Sequence, residues 1–266
     1  MVSALATFTG PQYYNDCLGP LWFDSFAIDL VRRLPGDPAG DVLEIACGTG
    51  LVTRRLRERL NGSVRLVATD LSKAMLDYAR AQLEARQGIE WHEADALKLP
   101  FHDNEFVAVV CGFGIMFMPD RPAALREARR VMARGGMLLF NVWDRVEENP
   151  HALANAEALE AMFPDDPEMK FRTPYDMGDP SLLRQLLAGA RFRATCIETK
   201  RIPVIGADPR SIATGQIRGT PRATLIEQRR VSLEVAIDKV ADALTITGGD
   251  PYSGQAQAVV VEALAI

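Results

Sequence analysis

The stretch VLEIACGTGLVTRRL, residues 42–56, changes its hydrophobic pattern at two glycines. Its first part is an apolar run, Val42, Leu43 and Ile45, as expected of a strand. After Gly48 and Gly50, the apolar residues Val52 and Leu56 are four positions apart, which is the spacing of one helix face. Nucleotide-like cofactors of α/β proteins bind where a strand is followed by a glycine turn and a helix. The stretch therefore predicts a cofactor site at its glycines.

The composition is that of an ordinary globular protein. Of 266 residues, 48% are hydrophobic and 24% are charged, and the formal net charge is -5, which argues against a protein that coats nucleic acid. The N-terminus has no secretory-signal pattern, and no apolar run approaches the roughly 20 residues that span a bilayer. The cysteines and histidines show no metal-ligand spacing. We expect a cytoplasmic protein without a membrane segment, a nucleic-acid partner or a metal site.

Strand and helix patterns alternate along the middle of the chain. This alternation predicts a doubly wound, Rossmann-like α/β fold with a parallel sheet. We interpret residues 1–266 as a single domain, with a cofactor-binding core at about 38–145, an N-terminal helical arm at 1–37 and a helical cap at about 203–246. Gly135 and Gly136 are predicted to end a helix, and the next strand is predicted at 137–143.

The glycine pattern does not fit a dinucleotide. The dinucleotide fingerprint needs a third small residue, where this chain has Thr53. Glu44, four residues before Gly48, would repel a pyrophosphate but suits a cofactor with ammonium and sulfonium charges. Asp70 and Asp95 end the next two predicted strands, where they could accept hydrogen bonds from a ribose and an adenine amine. The set predicts a ligand with an adenine, a ribose and a positive tail.

Five segments in order resemble the class I S-adenosylmethionine (SAM) dependent methyltransferases, in particular the small-molecule branch with the ubiquinone and menaquinone biosynthesis C-methyltransferases. They are VLEIACGTG, VATDLSKAMLDYAR, EADALKLPF, VCGFGIMFMPD and REARRVMARGGMLLFNVW. The family often has glycine where this chain has Ala46, and we expect only a slightly tighter turn there. The resemblance implies a seven-stranded, mostly parallel sheet, SAM as cofactor and S-adenosylhomocysteine as product.

The resemblance also implies roles for individual residues. Glu44 and the glycine loop would hold the methionine part of SAM, Asp70 the ribose and Asp95 the adenine amine. Leu71 and Met75 would flank the adenine ring, although Met75 equally fits plain helix packing. The residues expected to contact the cofactor are Tyr14, Glu44, Ala46, Cys47, Gly48, Gly50, Asp70, Leu71, Met75, Asp95, Ala96, Cys111, Gly112 and Phe113. The two cysteines in this set are expected to be small buried residues and not nucleophiles.

The methyl acceptor is less well defined by the sequence. The residues expected to contact it are Tyr13, Met116, Phe117 and Trp143. Apolar, aromatic and methionine-rich walls bind small apolar molecules, so we expect a small, largely apolar or aromatic metabolite that reacts by in-line methyl transfer. If the acceptor must lose a proton, the candidate bases are Tyr13, Tyr14, Asp144 and His151. For His151, a surface or capping role is the favoured alternative.

Three other functions stay open. A non-catalytic SAM-binding or regulatory protein would have the same core. An NAD(P)-dependent oxidoreductase would share the architecture, but Thr53 and Glu44 argue against it. Methylation of nucleic acid or protein is disfavoured by the acidic balance and by the sequence GFGIMF after the fourth strand, where an N-P-P-Y-type signature is absent.

Overall fold

Seven strands form one sheet in the order β3-β2-β1-β4-β5-β7-β6. The structure is a computed structural model, and it describes residues 10–84, 88–169 and 172–266, so residues 1–9 of the predicted arm lie outside the description. The strands are β1 (Val42–Ile45), β2 (Leu66–Asp70), β3 (Ile89–Glu93), β4 (Phe106–Gly112), β5 (Met132–Trp143), β6 (Phe192–Ala207) and β7 (Tyr252–Ala265).

All neighbouring pairs from β3 to β5 are parallel, and β7 inserts antiparallel between β5 and β6. The predicted fold class, a Rossmann-like and mostly parallel seven-stranded sheet, is confirmed. Ile45 pairs with Thr69, so Ala46 after β1 and Asp70 at the end of β2 lie at the same edge of the sheet. This edge, at the carboxyl ends of the parallel strands, is where open α/β sheets bind ligands.

A helical arm precedes β1 in the chain. One α-helical turn, Pro11–Tyr13, runs into a π-helical segment, Tyr14–Phe23, and continues into α1 (Asp24–Arg32). Residues 11–32 are called the arm below. The other α-helices are α2 (Leu51–Arg59), α3 (Lys73–Gln82), α4 (Arg121–Val131), α5 (Pro150–Met162), α6 (Pro180–Gly189), α7 (Pro209–Arg218), α8 (Arg222–Gln228) and α9 (Leu233–Gly248). None of the helices in the described ranges is long and apolar enough to cross a membrane.

Two predicted boundaries are wrong. Gly135 and Gly136 do not end α4, because the helix already ends at Val131 and both glycines lie inside β5. The pairing of β4 with β5 shifts there, and Gly135 has a φ of +78°, so the glycines form an irregular stretch of the strand instead of a helix cap. At the cap, β6 extends to Ala207, so the helices span residues 209–248 instead of about 203–246.

The arm packs closely on the cap, which we define as α7, α8 and α9. A Cβ atom at Gly215 of α7 would lie 2.6 Å from the Cβ of Cys17 and 2.6 Å from a methyl group of Leu18. Real Cβ atoms do not approach other atoms this closely, so glycine is required for the contact. Trp22 and Phe26 of the arm are buried in the same core as the sheet. The arm and the cap thus meet over the carboxyl edge of the sheet.

Candidate active site

The carboxyl ends of the parallel strands open into a cavity of about 290 Å³, lined by residues from the strand ends, the arm, α5 and the cap. The sequence predicted that residues at these strand ends contact the cofactor and the acceptor. Those that line the cavity are Tyr14, Glu44, Ala46, Cys47, Gly48, Asp70, Leu71, Met75, Asp95, Ala96, Gly112, Phe113, Met116, Phe117, Trp143 and His151. The structure therefore brings residues from distant parts of the sequence into one site.

Three of the residues that the sequence predicted to contact the cofactor or the acceptor do not line the cavity. Gly50 has a φ of +84° and lies against α3, where an added Cβ would be 3.1 Å from the Cβ of Ala79. Cys111 is fully buried within β4, and burial raises the pKa of its thiol to about 12. Tyr13 is 44% exposed, and its ring lies 5.7 Å from the guanidinium carbon of Arg218.

Asp144, one of the candidate bases, also lies outside the cavity lining. Its Oδ1 accepts a hydrogen bond from the backbone N–H of Arg145 at 2.8 Å, and its Oδ2 accepts one from the Gln257 side chain at 2.9 Å. The carboxylate thus links the end of β5 to β7. Its geometry is that of a structural hydrogen-bonding group.

The glycine loop has an unusual backbone. Gly48 has a φ of +56°, as a tight strand-to-helix turn requires, and Ala46 has a φ of +54°. The left-handed region costs a residue with a Cβ about 1–2 kcal/mol. The expectation of a slightly tighter turn at Ala46 thus missed the main consequence of this residue, which is backbone strain. The Cys47 N–H donates to the Thr69 carbonyl oxygen at 2.9 Å and anchors the loop to β2.

Asp70 connects the glycine loop to the turn that follows β2. Its Oδ2 accepts a hydrogen bond from the backbone N–H of Gly48, and its Oδ1 accepts one from Ser72, both at 2.8 Å. Burial raises the pKa of Asp70, and the hydrogen bonds from Ser72 and Gly48 offset part of the rise. Each carboxylate oxygen can accept a second hydrogen bond, so Asp70 can bind hydroxyl groups in the cavity while it holds the loop.

Glu44 is a buried carboxyl group on the cavity wall. It is only 1% exposed, and burial raises its pKa to about 8, a rise that the Thr53 hydroxyl partly offsets and the negative charge of Asp70 reinforces. Within the described residues, Glu44 Oε2 has no hydrogen-bond partner. A buried carboxylate is unfavourable unless a cation or a donor compensates it. The site therefore suits a ligand with a positively charged, hydrogen-bonding group.

The side of the cavity at β2 and β3 is apolar with one acidic group. Leu71 is 42% exposed although it is apolar, and Met75 at the start of α3 is also not fully buried. Asp95 is exposed, and its Oδ1 accepts a hydrogen bond from the Leu97 N–H at 2.8 Å. A flat ring between Leu71 and Met75 would cover both side chains. Met75 lines the cavity.

The central part of the chain is similar in sequence to a known family of domains. Residues 42–136 match the family model described as methyltransferase domain. A 2-phytyl-1,4-naphtoquinone methyltransferase of Thermosynechococcus vestitus is 38% identical over 110 residues, which are 41% of this chain and 48% of that protein. A demethylmenaquinone methyltransferase of Lactococcus lactis is 36% identical over 119 residues, or 44% of this chain and 47% of that protein.

The similarity to methyltransferases covers the central part of the chain. The chain spans about half the length of these curated relatives. Among solved structures, phosphoethanolamine N-methyltransferase 2 of Haemonchus contortus, in complex with phosphomonomethylethanolamine and S-adenosylhomocysteine, matches 97% of this chain and 57% of its own, with a TM-score of 0.61 and 17% identity. At that identity the likeness concerns the fold.

Aromatic residues from four separate segments form one wall of the cavity. The rings of Phe113 and Trp143 have centroids 4.4 Å apart, and Tyr175 stacks on Trp143 at 6.0 Å. Phe23 of the arm lies 5.2 Å from Phe113 and stacks on Tyr14 at 4.8 Å. Burial raises the pKa of Tyr14 well above its ordinary value, so its hydroxyl stays protonated and a role as general base is disfavoured.

Several residues that line the cavity were not predicted from the sequence. They are Trp22 and Phe23 of the arm, Tyr175 in the proline-rich segment before α6, Gln216 of α7 and Arg222 of α8. The apolar pattern of the arm predicts helix packing, and it contains no signal that separates core rings from cavity rings. Gln216 and Arg222 are polar residues on helices that would ordinarily face solvent, so only tertiary packing identifies them.

His151, at the start of α5, is buried in the cavity wall and is not at the surface. It is 1% exposed, and its ring stacks on Trp22 with centroids 4.3 Å apart. Burial and the nearby charge of Arg222 lower its pKa to about 3. The favoured expectation of a surface or capping role was wrong, because the predicted helix start did not reveal that the arm covers it.

Proposed function

We propose that the protein is a SAM-dependent methyltransferase that acts on a small, largely apolar or aromatic metabolite. The observation that carries the proposal is the buried Glu44 carboxyl, whose Oε2 has no partner within the described residues, on the wall of the same cavity as an aromatic cluster. A dinucleotide would bring a pyrophosphate to this loop, and its negative charge would oppose the ionisation of the buried Glu44 and Asp70 carboxyl groups. The names of the curated relatives support a quinone-type acceptor.

The chain's own groups account for each part of SAM. Glu44 would pair with the ammonium group and Asp70 would accept hydrogen bonds from the ribose hydroxyls. Leu71 and Met75 would contact the two faces of the adenine, and Asp95 would accept from its amine. When bound, SAM supplies a methyl group on a cationic sulfur, with its own leaving group.

The aromatic wall would bind the acceptor. Phe113 and Trp143, with Met116 and Phe117 beside them, offer an apolar surface on which a flat ring can stack. Such a wall aligns the acceptor with the methyl group and excludes water, and alignment is the main contribution that a protein makes to an in-line transfer. Because the arm and the cap both line the cavity, we propose that they act with the core as one domain.

The first test concerns the cofactor. SAM and S-adenosylhomocysteine should raise the melting temperature of the purified protein, since a ligand that binds only the native state stabilises it, whereas NADH should not. Labelled SAM is then incubated with a panel of naphthoquinols and with protein and RNA. A shift with NADH alone would favour the oxidoreductase. Binding of SAM without transfer to any small molecule would favour the non-catalytic alternative.

A further inference from the structure

The side chain of Gln216 determines which nitrogen of His151 carries the hydrogen. Gln216 Nε2 lies 3.1 Å from the backbone carbonyl oxygen of His151 and 3.2 Å from His151 Nδ1. A carbonyl oxygen only accepts hydrogen bonds, so the Gln216 atom beside it must be the amide nitrogen. Gln216 Oε1 accepts a hydrogen bond from Asn155 at 2.7 Å, which agrees with this orientation.

The same amide nitrogen donates its second hydrogen to the imidazole. His151 Nδ1 must therefore accept, and in a neutral ring the hydrogen is then on Nε2. This nitrogen is buried and has no hydrogen-bond partner in the ranges 10–84, 88–169 and 172–266. A buried donor without an acceptor is unfavourable, so an acceptor atom of a ligand that reaches the Nε2–H would be stabilised by it. In this arrangement the Nε2–H of His151 is a hydrogen-bond donor, and the ring does not act as a base.

A positive charge also lines the cavity. Arg222, the first residue of α8, is buried there, and its charge lowers the pKa of His151 and offsets part of the rise that burial causes in the pKa of Tyr175. Glu44 and Asp70, the acidic groups, belong to the ends of β1 and β2. The cavity therefore combines acidic groups on the strand ends with a cation and an N–H donor on the helices beyond them.

We propose that His151 and Arg222 bind an ionised oxygen of the methyl acceptor, so that the substrate is a phenolate or an enolate and not a neutral ether or hydrocarbon. Naming this ligand the methyl acceptor rests on the proposed function. Gln216 is a positioning residue that keeps the His151 hydrogen on Nε2. His151, Gln216 and Arg222 all lie outside residues 42–136, so the family match assigns nothing to them.

The test uses two probes with the same ring system. 2-Hydroxy-1,4-naphthoquinone is ionised at neutral pH, and 2-methoxy-1,4-naphthoquinone is not. Binding is measured by tryptophan fluorescence quenching on the full chain, with and without S-adenosylhomocysteine. The wild type should bind the hydroxy compound at least about tenfold more tightly, as expected for charge-assisted hydrogen bonds. Because the titration also uses the protein alone, it reports on the oxygen preference even if S-adenosylhomocysteine does not bind, a result that would overturn the proposed function instead.

The variants H151F and R222M should each reduce the preference to less than about threefold, since both keep the apolar bulk and remove the donor or the charge. Their matched controls are H102F and R145M, at exposed residues outside the cavity lining, which should keep the preference. Arg222 lies on a different helix from His151, so one variant remains informative if the other does not fold. Equal affinity of the wild type for both probes, binding of neither, or a preference that survives both variants would overturn the proposal.

Discussion

Burial of Glu44 couples the stability of the ligand-free protein to pH. Its pKa is about 8 in the folded chain, against an ordinary value of 4.5, because burial disfavours the carboxylate. The folded state therefore binds more protons than the unfolded state between these two values. The contribution of Glu44 to the free energy of unfolding is fully present below about pH 4.5, and it is lost as the pH rises through about 8.

We expect Glu44 to reduce the free energy of unfolding by on the order of 3 kcal/mol between pH 5 and pH 8. Glu44→Gln removes the titration, so the difference in unfolding free energy between wild type and variant should depend on pH with this sign. Urea unfolding at several pH values measures it. His151 titrates in both proteins, and its contribution therefore cancels in the difference. A difference that is constant with pH would contradict the burial argument.

Asp70 has two tasks that substitution can separate. Asp70→Ala should weaken SAM binding by on the order of 1.5–3 kcal/mol, the range for hydrogen bonds to a charged group. It also leaves the N–H groups of Gly48 and Ser72 without their acceptor, so we expect a loss of about 2 kcal/mol in unfolding free energy as well. Calorimetric binding and urea unfolding measure the two effects. Asp77→Ala, a substitution at an exposed residue of α3, is the control. An unchanged affinity of Asp70→Ala for SAM would show that the ribose binds elsewhere.

At the scale of elements, the contact between the arm and α7 depends on one glycine. Gly215→Ala puts a Cβ where Cys17 and Leu18 leave no space, and overpacking of this kind costs about 1–3 kcal/mol. Gly189→Ala is the matched control, because a Cβ at the end of α6 would meet no atom within 4 Å. That variant should be neutral or slightly more stable. Thermal unfolding of the two variants tests this difference in stability. Equal melting temperatures would show that the arm can shift to make room for the added Cβ without loss of stability.

The elements of the core were predictable because each has a local signal. Buried parallel strands are apolar runs, and the glycine turn lies directly between β1 and α2. The end of α4 was not predictable, since two consecutive glycines fit both the end of a helix and an irregular strand. Which one forms here depends on the pairing of β4 with β5, and a single segment of sequence contains no information about its partner.

At the scale of the whole molecule, the cavity has one half that the sequence predicts and one that it does not. The carboxyl ends of parallel strands meet at one edge, so topology alone brings Glu44, Asp70 and Asp95 together. The other half depends on how the arm and the cap fold over that edge. Trp22, Gln216 and Arg222 lie in helices whose local patterns equally fit packing or solvent exposure. Their position results from contacts between segments about 200 residues apart in sequence.

The antiparallel insertion of β7 between β5 and β6 affects how a nascent chain acquires this fold. Synthesis runs from the N-terminus, so β5 and β6 leave the ribosome before the strand that joins them exists. Until β7 emerges, both have free edges, and free strand edges are prone to pair with other chains. Trp143 pairs directly with Ala258, so this part of the aromatic wall completes its strand pairing only when β7 is in place. The edges of β5 and β6 that β7 covers therefore stay accessible to other chains until β7 has paired with them.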